Sequence, residues 1–166
     1  MEVRHAGSAI EVAIGLGSNL GDRESHIARA ASLLAPHVQG LKLSRPVETQ
    51  PVNMSADAAP FLNAAAIGWT ELSAQDLLGE MMAIEEQLGR RRTEGFKNES
   101  RTIDLDLLLY GDDCFFLEGL SVPHPAMQYR RFVLQPLAEI APAKMHPGLG
   151  LTVRQLLDGL VDQDVG

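Results

Sequence analysis

Two aspartates, Asp104 and Asp106, stand two positions apart within the apolar run that extends from Ile103 to Leu109. In a β-strand, alternation puts both carboxylates on one side, with Cα atoms roughly 6.5–7 Å apart. At ~6 Å and an effective dielectric constant of ~20, two such charges repel by about 3 kcal/mol, so a cation is expected to neutralise them. Paired carboxylate oxygens with open neighbouring positions suit Mg²⁺, which takes its other ligands from water and phosphates. The alternative interpretation is a strand with two solvated aspartates on its outer face.

The segment before this strand is basic. Five of the fourteen Lys and Arg residues of the chain fall within twelve positions, namely Arg90, Arg91, Arg92, Lys97 and Arg101. Such a segment, leading into two carboxylates, predicts a site for polyphosphate with Mg²⁺, because guanidinium groups can bind the phosphates opposite the metal. A solvated basic loop is the alternative. The P-loop pattern G-x-x-x-x-G-K-[ST] is absent, and the glycines from Gly15 to Gly21 miss the dinucleotide-binding spacing by one residue.

Two further polar residues stand in unusual surroundings. Asn63 lies in the apolar run from Phe61 to Thr70, and its amide offers both donors and an acceptor, which match the edge of a heterocycle. A structural amide, bonded to a neighbouring loop, is the alternative. His124 stands between Pro123 and Pro125, where it is suited to contact a phosphate or a base, or to serve the loop itself.

Composition and charge restrict the class of protein. The chain has 166 residues, 22 Asp and Glu against 14 Lys and Arg, and a formal charge of −8, which disfavours binding to duplex DNA or an anionic membrane. Cys114 is the single cysteine, so no internal disulfide is expected and a reducing cytoplasm is favoured. The chain contains no apolar run of about 18 residues, so no membrane span is predicted. Residues 1–8 lack the apolar core of a secretory signal. We expect a cytoplasmic monomer whose partners are small molecules.

Periodicity and turn residues predict the elements that must position these side chains. Strands are expected at 11–16, 43–49, 61–70 and 102–110, with a short strand at 114–117 that pairs back after a turn. Helices are expected around 23–38, from the Ser73 cap to Gly89, over 127–140 with an interruption at Pro136, and from Thr152 onwards. Polar loops are expected at 50–60 and 90–101. This order predicts an α+β, ferredoxin-like sandwich, a mostly antiparallel sheet with helices packed on it, as one domain over 9–166 behind a flexible arm at 1–8.

Several segments carry a family resemblance when they are taken together and in order. They are the run from Ala13 to Gly21, Phe61 to Ala65, Ile84-Glu85, Leu88-Gly89-Arg90, Arg101-Thr102-Ile103-Asp104-Leu105-Asp106, Val122-Pro123-His124-Pro125 with Met127, and Arg130 to Ile140. This set resembles the 6-hydroxymethyl-7,8-dihydropterin pyrophosphokinase family of folate biosynthesis. The block that begins at Arg101, followed by Val122 to Pro125, makes the combination specific.

The resemblance implies a transfer of diphosphate from ATP to the hydroxymethyl group of the pterin, with release of AMP. It implies that Asp104 and Asp106 hold two Mg²⁺ ions that bridge the ATP phosphates, and that Arg90, Arg92 and Arg101 are the catalytic cations. Residues implied at the ATP site are Arg90, Arg101, Arg130, Glu85, Leu107, Ser121 and His124. Residues implied at the pterin site are Thr49, Pro51, Val52, Phe61, Asn63 and Phe132.

The chain also departs from the family pattern. Glu99 stands where a glycine or alanine is usual, the segment from 90 to 101 is one residue longer, and Gly119 replaces an arginine of some members. The sequence alone leaves two other functions open. One is a Mg²⁺-dependent nucleotidyl or sugar-nucleotide transferase that uses the Asp-x-Asp pair, and the other is a non-catalytic pterin or nucleotide sensor.

Overall fold

The computed structural model describes residues 8–49, 60–89, 102–117 and 119–164, with only the backbone described for 161–164. The first half of the fold contains the elements β1 (Ile10–Ser18), α1 (Arg23–Leu34), β2 (Gln39–Leu43), β3 (Val47–Thr49), β4 (Phe61–Thr70), α2 (Ala74–Gln87) and β5 (Asp104–Tyr110). The second half contains β6 (Phe115–Leu117), β7 (Leu120–Val122), a 3₁₀ turn (Met127–Tyr129), α3 (Arg131–Ile140), β8 (Met145–His146), β9 (Leu151–Thr152) and α4 (Val153–Asp164).

The main sheet has the strand order β2-β4-β1-β5, with β3 also paired to β4. Every pairing in it is antiparallel, and the first and fourth strands along the chain, β1 and β4, lie at its centre. With β2 and β3 counted as one strand that is interrupted at Pro46, the elements from β1 to β5 follow the β-α-β-β-α-β order of the ferredoxin-like arrangement, so the predicted fold class is confirmed. Within residues 8–49, 60–89, 102–117 and 119–164, β5 pairs with β1 alone, so the strand with both aspartates forms one edge of the described sheet.

The two faces of the sheet are covered by different helices. Alternate residues such as Val12, Ile14 and Leu16 turn to α1 and α2 and form one core. The residues that alternate with them, such as Ala13 and Ala65, lie on the opposite face of the sheet, pack against α3 and α4 and form a second core. Burial of these apolar side chains is the main stabilising contribution to the fold. The second core covers only part of its face, and the remaining part carries the polar residues of the candidate site.

The predicted helix starts are confirmed by their caps. Ser73 Oγ accepts a hydrogen bond from the backbone N of Asp76 at 3.1 Å. Thr152 and Gln155 form a reciprocal capping box, with Gln155 N donating to Thr152 Oγ1 at 3.1 Å and Thr152 N donating to Gln155 Oε1 at 2.9 Å. Each cap satisfies backbone groups that a helix terminus leaves without an intrahelical partner.

Three predicted elements differ in the structure. The strand expected at 43–49 is two short strands, β2 and β3, on either side of Pro46, because proline cannot donate to a ladder. The strand near 114–117 pairs with β7 and not back onto β5. The helix α3 runs through Pro136 without interruption, although an interior proline removes one backbone hydrogen bond of the helix; the proline itself is buried.

The β8–β9 hairpin was not predicted at all, since each strand has only two residues. Among the described helices, none is long and apolar enough to cross a bilayer.

Candidate active site

A row of three residues crosses the central strands on the partly uncovered face of the sheet. Gly17 of β1 is the register partner of Asn63 in β4 on one side and of Asp104 in β5 on the other. Two residues earlier in β1, Gly15 is likewise paired with Ala65 in β4 and with Asp106 in β5. At about 4.8 Å per strand, the Cα atoms of Asn63 and Asp104 lie roughly 10 Å apart. The fold thus places an amide and two carboxylates on one surface, separated by glycines.

The Asn63 side chain is held by its neighbours. Its Nδ2 donates to Thr49 Oγ1 at 2.9 Å, and the residue is 7% exposed. A Cβ atom added to Gly17 would lie 3.1 Å from Asn63 Oδ1 and 3.7 Å from a ring carbon of Phe61. The bare glycine therefore leaves room for the amide oxygen and for the edge of the Phe61 ring. Thr49 takes one N–H of the amide, and no other side-chain hydrogen bond of Asn63 occurs among the described residues; the amide also carries a carbonyl oxygen and a second N–H.

The two aspartates lie on the same face, as the alternation of the strand predicts. Asp104 and Asp106 are both half-buried, and the residues between and beyond them, Leu105 and Leu107, are buried on the opposite face. Within the described parts of the chain, no three His, Cys, Asp or Glu side chains are grouped closely enough to hold a metal ion by themselves. Two carboxylates on one face of a strand fit Mg²⁺ held jointly with phosphates, because that ion keeps several non-protein ligands.

His124 joins this group electrostatically. Its backbone N donates to Leu108 O at 2.9 Å, which ties the loop to β5 just beyond the aspartates. Burial lowers the pKa of His124 below its usual range; Asp106 opposes this shift, Arg130 adds to it, and Asp104 opposes it more weakly. His124 Nδ1 accepts from Ala126 N at 3.2 Å, so in the neutral ring the proton lies on Nε2. The imidazole can therefore donate a hydrogen bond to an anion without carrying a charge.

The start of α3 supplies a cation and an aromatic ring. Arg130 precedes the helix, and its guanidinium carbon lies 5.6 Å from the centre of the Phe132 ring. Both side chains are half-buried. A guanidinium group over an aromatic face is a favourable cation–π arrangement that limits the motion of both side chains.

Three residues implied at the nucleotide site lie away from that row of polar groups. Leu107 is 3% exposed and belongs to the core beneath α1 and α2. Glu85 of α2 is 5% exposed, and its Oε2 accepts a hydrogen bond from Leu105 N at 2.8 Å. Ser121 is half-buried in the β6–β7 hairpin, opposite Phe116.

The remaining predicted residues lie outside the described parts of the chain. They are Pro51, Val52, Arg90, Arg92 and Arg101.

One contact with the site was not anticipated. Arg23, at the start of α1, donates to Pro60 O at 2.8 Å and to Glu48 Oε2 at 2.7 Å. It therefore joins β3 to the residue that precedes Phe61. Neither partner is near Arg23 in the sequence, so no local pattern could have revealed the contact.

A groove of about 350 Å³ lies elsewhere, between α3 and α4. Its walls are formed by Arg131, Gln135, Ala138, Glu139, Arg154, Leu157 and Asp158. None of the predicted site residues lines it.

An amide and two carboxylates on one sheet face, with an imidazole in an adjoining loop and aromatic rings nearby, form the kind of arrangement in which few polar groups fix the orientation of a small molecule. Comparison with known proteins assigns the family. The model of the 7,8-dihydro-6-hydroxymethylpterin-pyrophosphokinase family matches residues 13–142. The chain belongs to this family, and it is accordingly an enzyme of the pterin pyrophosphokinase type in folate biosynthesis.

Curated proteins that are similar to this chain include two pterin pyrophosphokinases and a longer folic acid synthesis protein. The 2-amino-4-hydroxy-6-hydroxymethyldihydropteridine pyrophosphokinase of Bacillus subtilis is 46% identical over 129 residues, which cover 76% of this chain and 75% of that protein. Its namesake in Aquifex aeolicus is 38% identical over 136 residues, covering 82% and 83% of the two chains. The folic acid synthesis protein fol1 of Pneumocystis carinii is 36% identical over 155 residues, 93% of this chain but 20% of that protein.

Solved structures share the fold at low identity. The HPPK-DHPS of Plasmodium falciparum, solved with pteroate, superimposes with a TM-score of 0.75 at 15% identity and covers 97% of this chain. An HPPK-DHPS solved with substrates gives a TM-score of 0.69 at 14% identity and covers 95%. The present chain spans 44% of each of those longer chains.

Proposed function

We propose that this enzyme transfers diphosphate from ATP to the hydroxymethyl oxygen of 6-hydroxymethyl-7,8-dihydropterin. That oxygen forms a bond to the β-phosphorus, the bond from the β-phosphorus to the oxygen shared with the α-phosphorus breaks, AMP leaves, and the hydroxyl proton passes to solvent. The observation that carries the proposal is the row of Asn63, Gly17 and Asp104, because it sets a group suited to a heterocycle next to one suited to metal-bound phosphate.

The carboxylate end of the row is the proposed phosphate end. Asp104 and Asp106 would hold two Mg²⁺ ions, which when bound neutralise the charge of the ATP phosphates. His124 donates from Nε2 to a phosphate oxygen, and Arg130 binds phosphate from the start of α3. The arginines at 90, 92 and 101 complete this role on the strength of the family resemblance. Positioning and charge neutralisation are then the main tasks of the protein.

The amide end of the row is the proposed pterin end. The free carbonyl oxygen and N–H of Asn63 bind the edge of the heterocycle, while Phe61 and Phe132 lie against its faces. The proposal includes Thr49, whose hydroxyl holds the Asn63 amide, and the backbone near Pro51 and Val52. Ring stacking and a few hydrogen bonds together suit a flat polar ring.

The rest of the nucleotide site is proposed from the resemblance. Since Leu107 is a core side chain, its contribution to ATP binding would come through its backbone. Ser121 reaches the nucleotide from the β6–β7 hairpin. The enzyme is proposed to act as a cytoplasmic monomer on these two small molecules.

The test is a reaction of the purified protein with ATP, Mg²⁺ and the hydroxymethyl-dihydropterin. AMP and the pterin diphosphate should appear together, in equal amounts. Formation of ADP, or release of AMP without the pterin, contradicts the proposed transfer. Replacing the pterin with a sugar phosphate tests the nucleotidyl-transferase alternative, in which the adenylyl group would pass to the acceptor and inorganic diphosphate would leave. No release of diphosphate is expected there.

A further inference from the structure

The buried carboxylate of Glu85 contacts the strand that carries the two aspartates. Its Oε2 lies 2.8 Å from the backbone N of Leu105, the residue between Asp104 and Asp106. Glu85 is 5% exposed and lies on the buried side of α2, beside Ile84. A carboxylate this deeply buried is costly unless its hydrogen bonds are made.

The position of β5 in the sheet explains why this contact matters. Among the strands in the described parts of the chain, only β1 pairs with β5, so no described strand bonds the backbone groups on the outer side of β5. The N–H of Leu105 is directed to α2, and Glu85 takes the place of the missing strand there. The contact thus fixes the backbone at the one residue that separates the two aspartates.

We infer that Glu85 is a positioning residue that sets the geometry of the Asp104–Asp106 pair. It acts by holding the Leu105 peptide, so that the side chains on either side of it point together into the cleft. The inference rests on the proposed role of the two aspartates as metal ligands. It differs from the resemblance, which implies that Glu85 lines the nucleotide site.

Two substitutions separate geometry from charge. Glu85→Gln keeps an oxygen of the same reach and removes the charge, whereas Glu85→Asp keeps the charge and shortens the reach by one methylene. If Glu85 acts through its bond to Leu105, Glu85→Asp should weaken metal binding and Glu85→Gln should leave it near the wild-type value. Partners of metal ligands typically contribute about 10- to 100-fold in metal affinity, so a loss of that size is expected for Glu85→Asp.

Two measurements carry the test. Hydrogen exchange at the Leu105 amide, followed in the metal-free protein, reports the anchoring bond itself and should be faster in Glu85→Asp. Titration of Mn²⁺ into the protein saturated with a non-hydrolysable ATP analogue reports the metal site. Glu86→Gln, at the adjacent exposed position of α2, is the matched control and should change neither reading. Urea midpoints verify that each variant is folded.

Each contrary result has a distinct meaning. Unchanged exchange at Leu105 in Glu85→Asp overturns the inference. The inference is also overturned if both Glu85 variants bind metal-free ATP more weakly while their Mn²⁺ affinity is unaltered. That result is expected of a residue that contacts the nucleotide. If Asp104→Asn leaves Mn²⁺ affinity intact, the proposed metal site is wrong, while the exchange result still decides whether Glu85 anchors the strand.

Discussion

Asn63 and the aspartate pair are the residues whose chemistry differs most from their surroundings. Each stands in an apolar strand, and each points to the face that α3 and α4 leave partly uncovered. A polar side chain in such a strand requires partners, which Thr49 supplies in part for Asn63.

Asp104→Asn and Asp106→Asn should each abolish metal-dependent turnover without unfolding the protein. Removing one carboxylate relieves repulsion between like charges, so the metal-free variant should be at least as stable as the wild type. Turnover with Mg²⁺ and the midpoint of urea unfolding are the measurements. Near-normal turnover in either variant shows that the carboxylate is not a metal ligand.

Asn63→Ala should weaken pterin binding by roughly 1–3 kcal/mol, because the partners of the amide are left unpaired, while ATP affinity is retained. Thr49→Val should weaken pterin binding in the same direction, since it removes the hydroxyl that holds Asn63 Nδ2. Thr49→Ser, which keeps the hydroxyl, is the control. Calorimetric titration with each ligand measures the effects, and equal losses for both ligands mean that Asn63 is structural.

At the scale of elements, close approach between strands and helices decides which positions must lack a side chain. Gly68 of β4 packs against the connection between α1 and β2. A Cβ atom there would lie 2.5 Å from Val38 Cγ1 and 2.9 Å from Gln39 O. Gly79 of α2 has nothing within 4 Å of the same added atom.

Gly68→Ala should destabilise the protein by about 1–3 kcal/mol, because backbone must move to relieve the overlap. Gly79→Ala should stabilise it by about 1 kcal/mol, since alanine is the better helix former at an exposed position. Urea unfolding measures both changes on one scale. A neutral Gly68→Ala would show that β2 can shift without cost.

The basic segment before β5 stays a prediction, since residues 90–101 lie outside the described parts of the chain. Arg92→Ala and Arg101→Ala should lower the single-turnover rate by on the order of 10³-fold, as loss of an arginine that stabilises transferred phosphoryl charge does. Arg91→Ala is the matched control and should have little effect. A large loss for Arg91, or none for Arg101, contradicts a phosphate-binding role for this segment.

At the scale of the whole molecule, the β8–β9 hairpin connects distant parts of the fold. Lys144, just before β8, contacts Glu11 of β1, with Nζ 2.9 Å from Oε1. His146 is 6% exposed, and its Nδ1 accepts from Leu149 N at 3.1 Å. Burial lowers the pKa of His146 below its usual 6.5, although a hydrogen bond to its own backbone opposes the shift.

The stability of the protein should therefore decline on mild acidification. As the pH falls, His146 takes up a proton in the unfolded chain before it does so in the folded chain. The neutral His146 side chain therefore contributes fully to the free energy of unfolding above pH 6.5, and this contribution is lost as the pH falls below 6.5 and through the lowered pKa of the folded state. His146→Asn, which retains an acceptor but does not titrate, should flatten the profile between pH 7 and 5. Urea unfolding across this range is the measurement, and parallel profiles for the two proteins contradict the assignment.

Part of the geometry of the candidate site was predictable from the sequence, because it depends on residues that are close together along the chain. Alternation along one strand suffices to put Asp104 and Asp106 on the same side, and the Ser73 and Thr152 caps depend on residues three positions apart. The same holds for the buried stripe of α2, whose period is set by the helix. For these features the covalent chain fixes the distances, so sequence spacing translates directly into structure.

Strand order could not be obtained in this way. Asn63 and Asp104 are 41 positions apart in the sequence. They lie in one row across the sheet only because β1 lies between β4 and β5 and places Gly17 beside both of them. The contacts of Arg23 with Glu48 and of Glu85 with Leu105 likewise join separate elements. Such contacts form when apolar faces of helices and sheet pack together and when backbone groups at a sheet edge are hydrogen-bonded by side chains. Both events depend on the whole fold. The sequence by itself determined which groups could perform the chemistry; tertiary structure decided which of them meet.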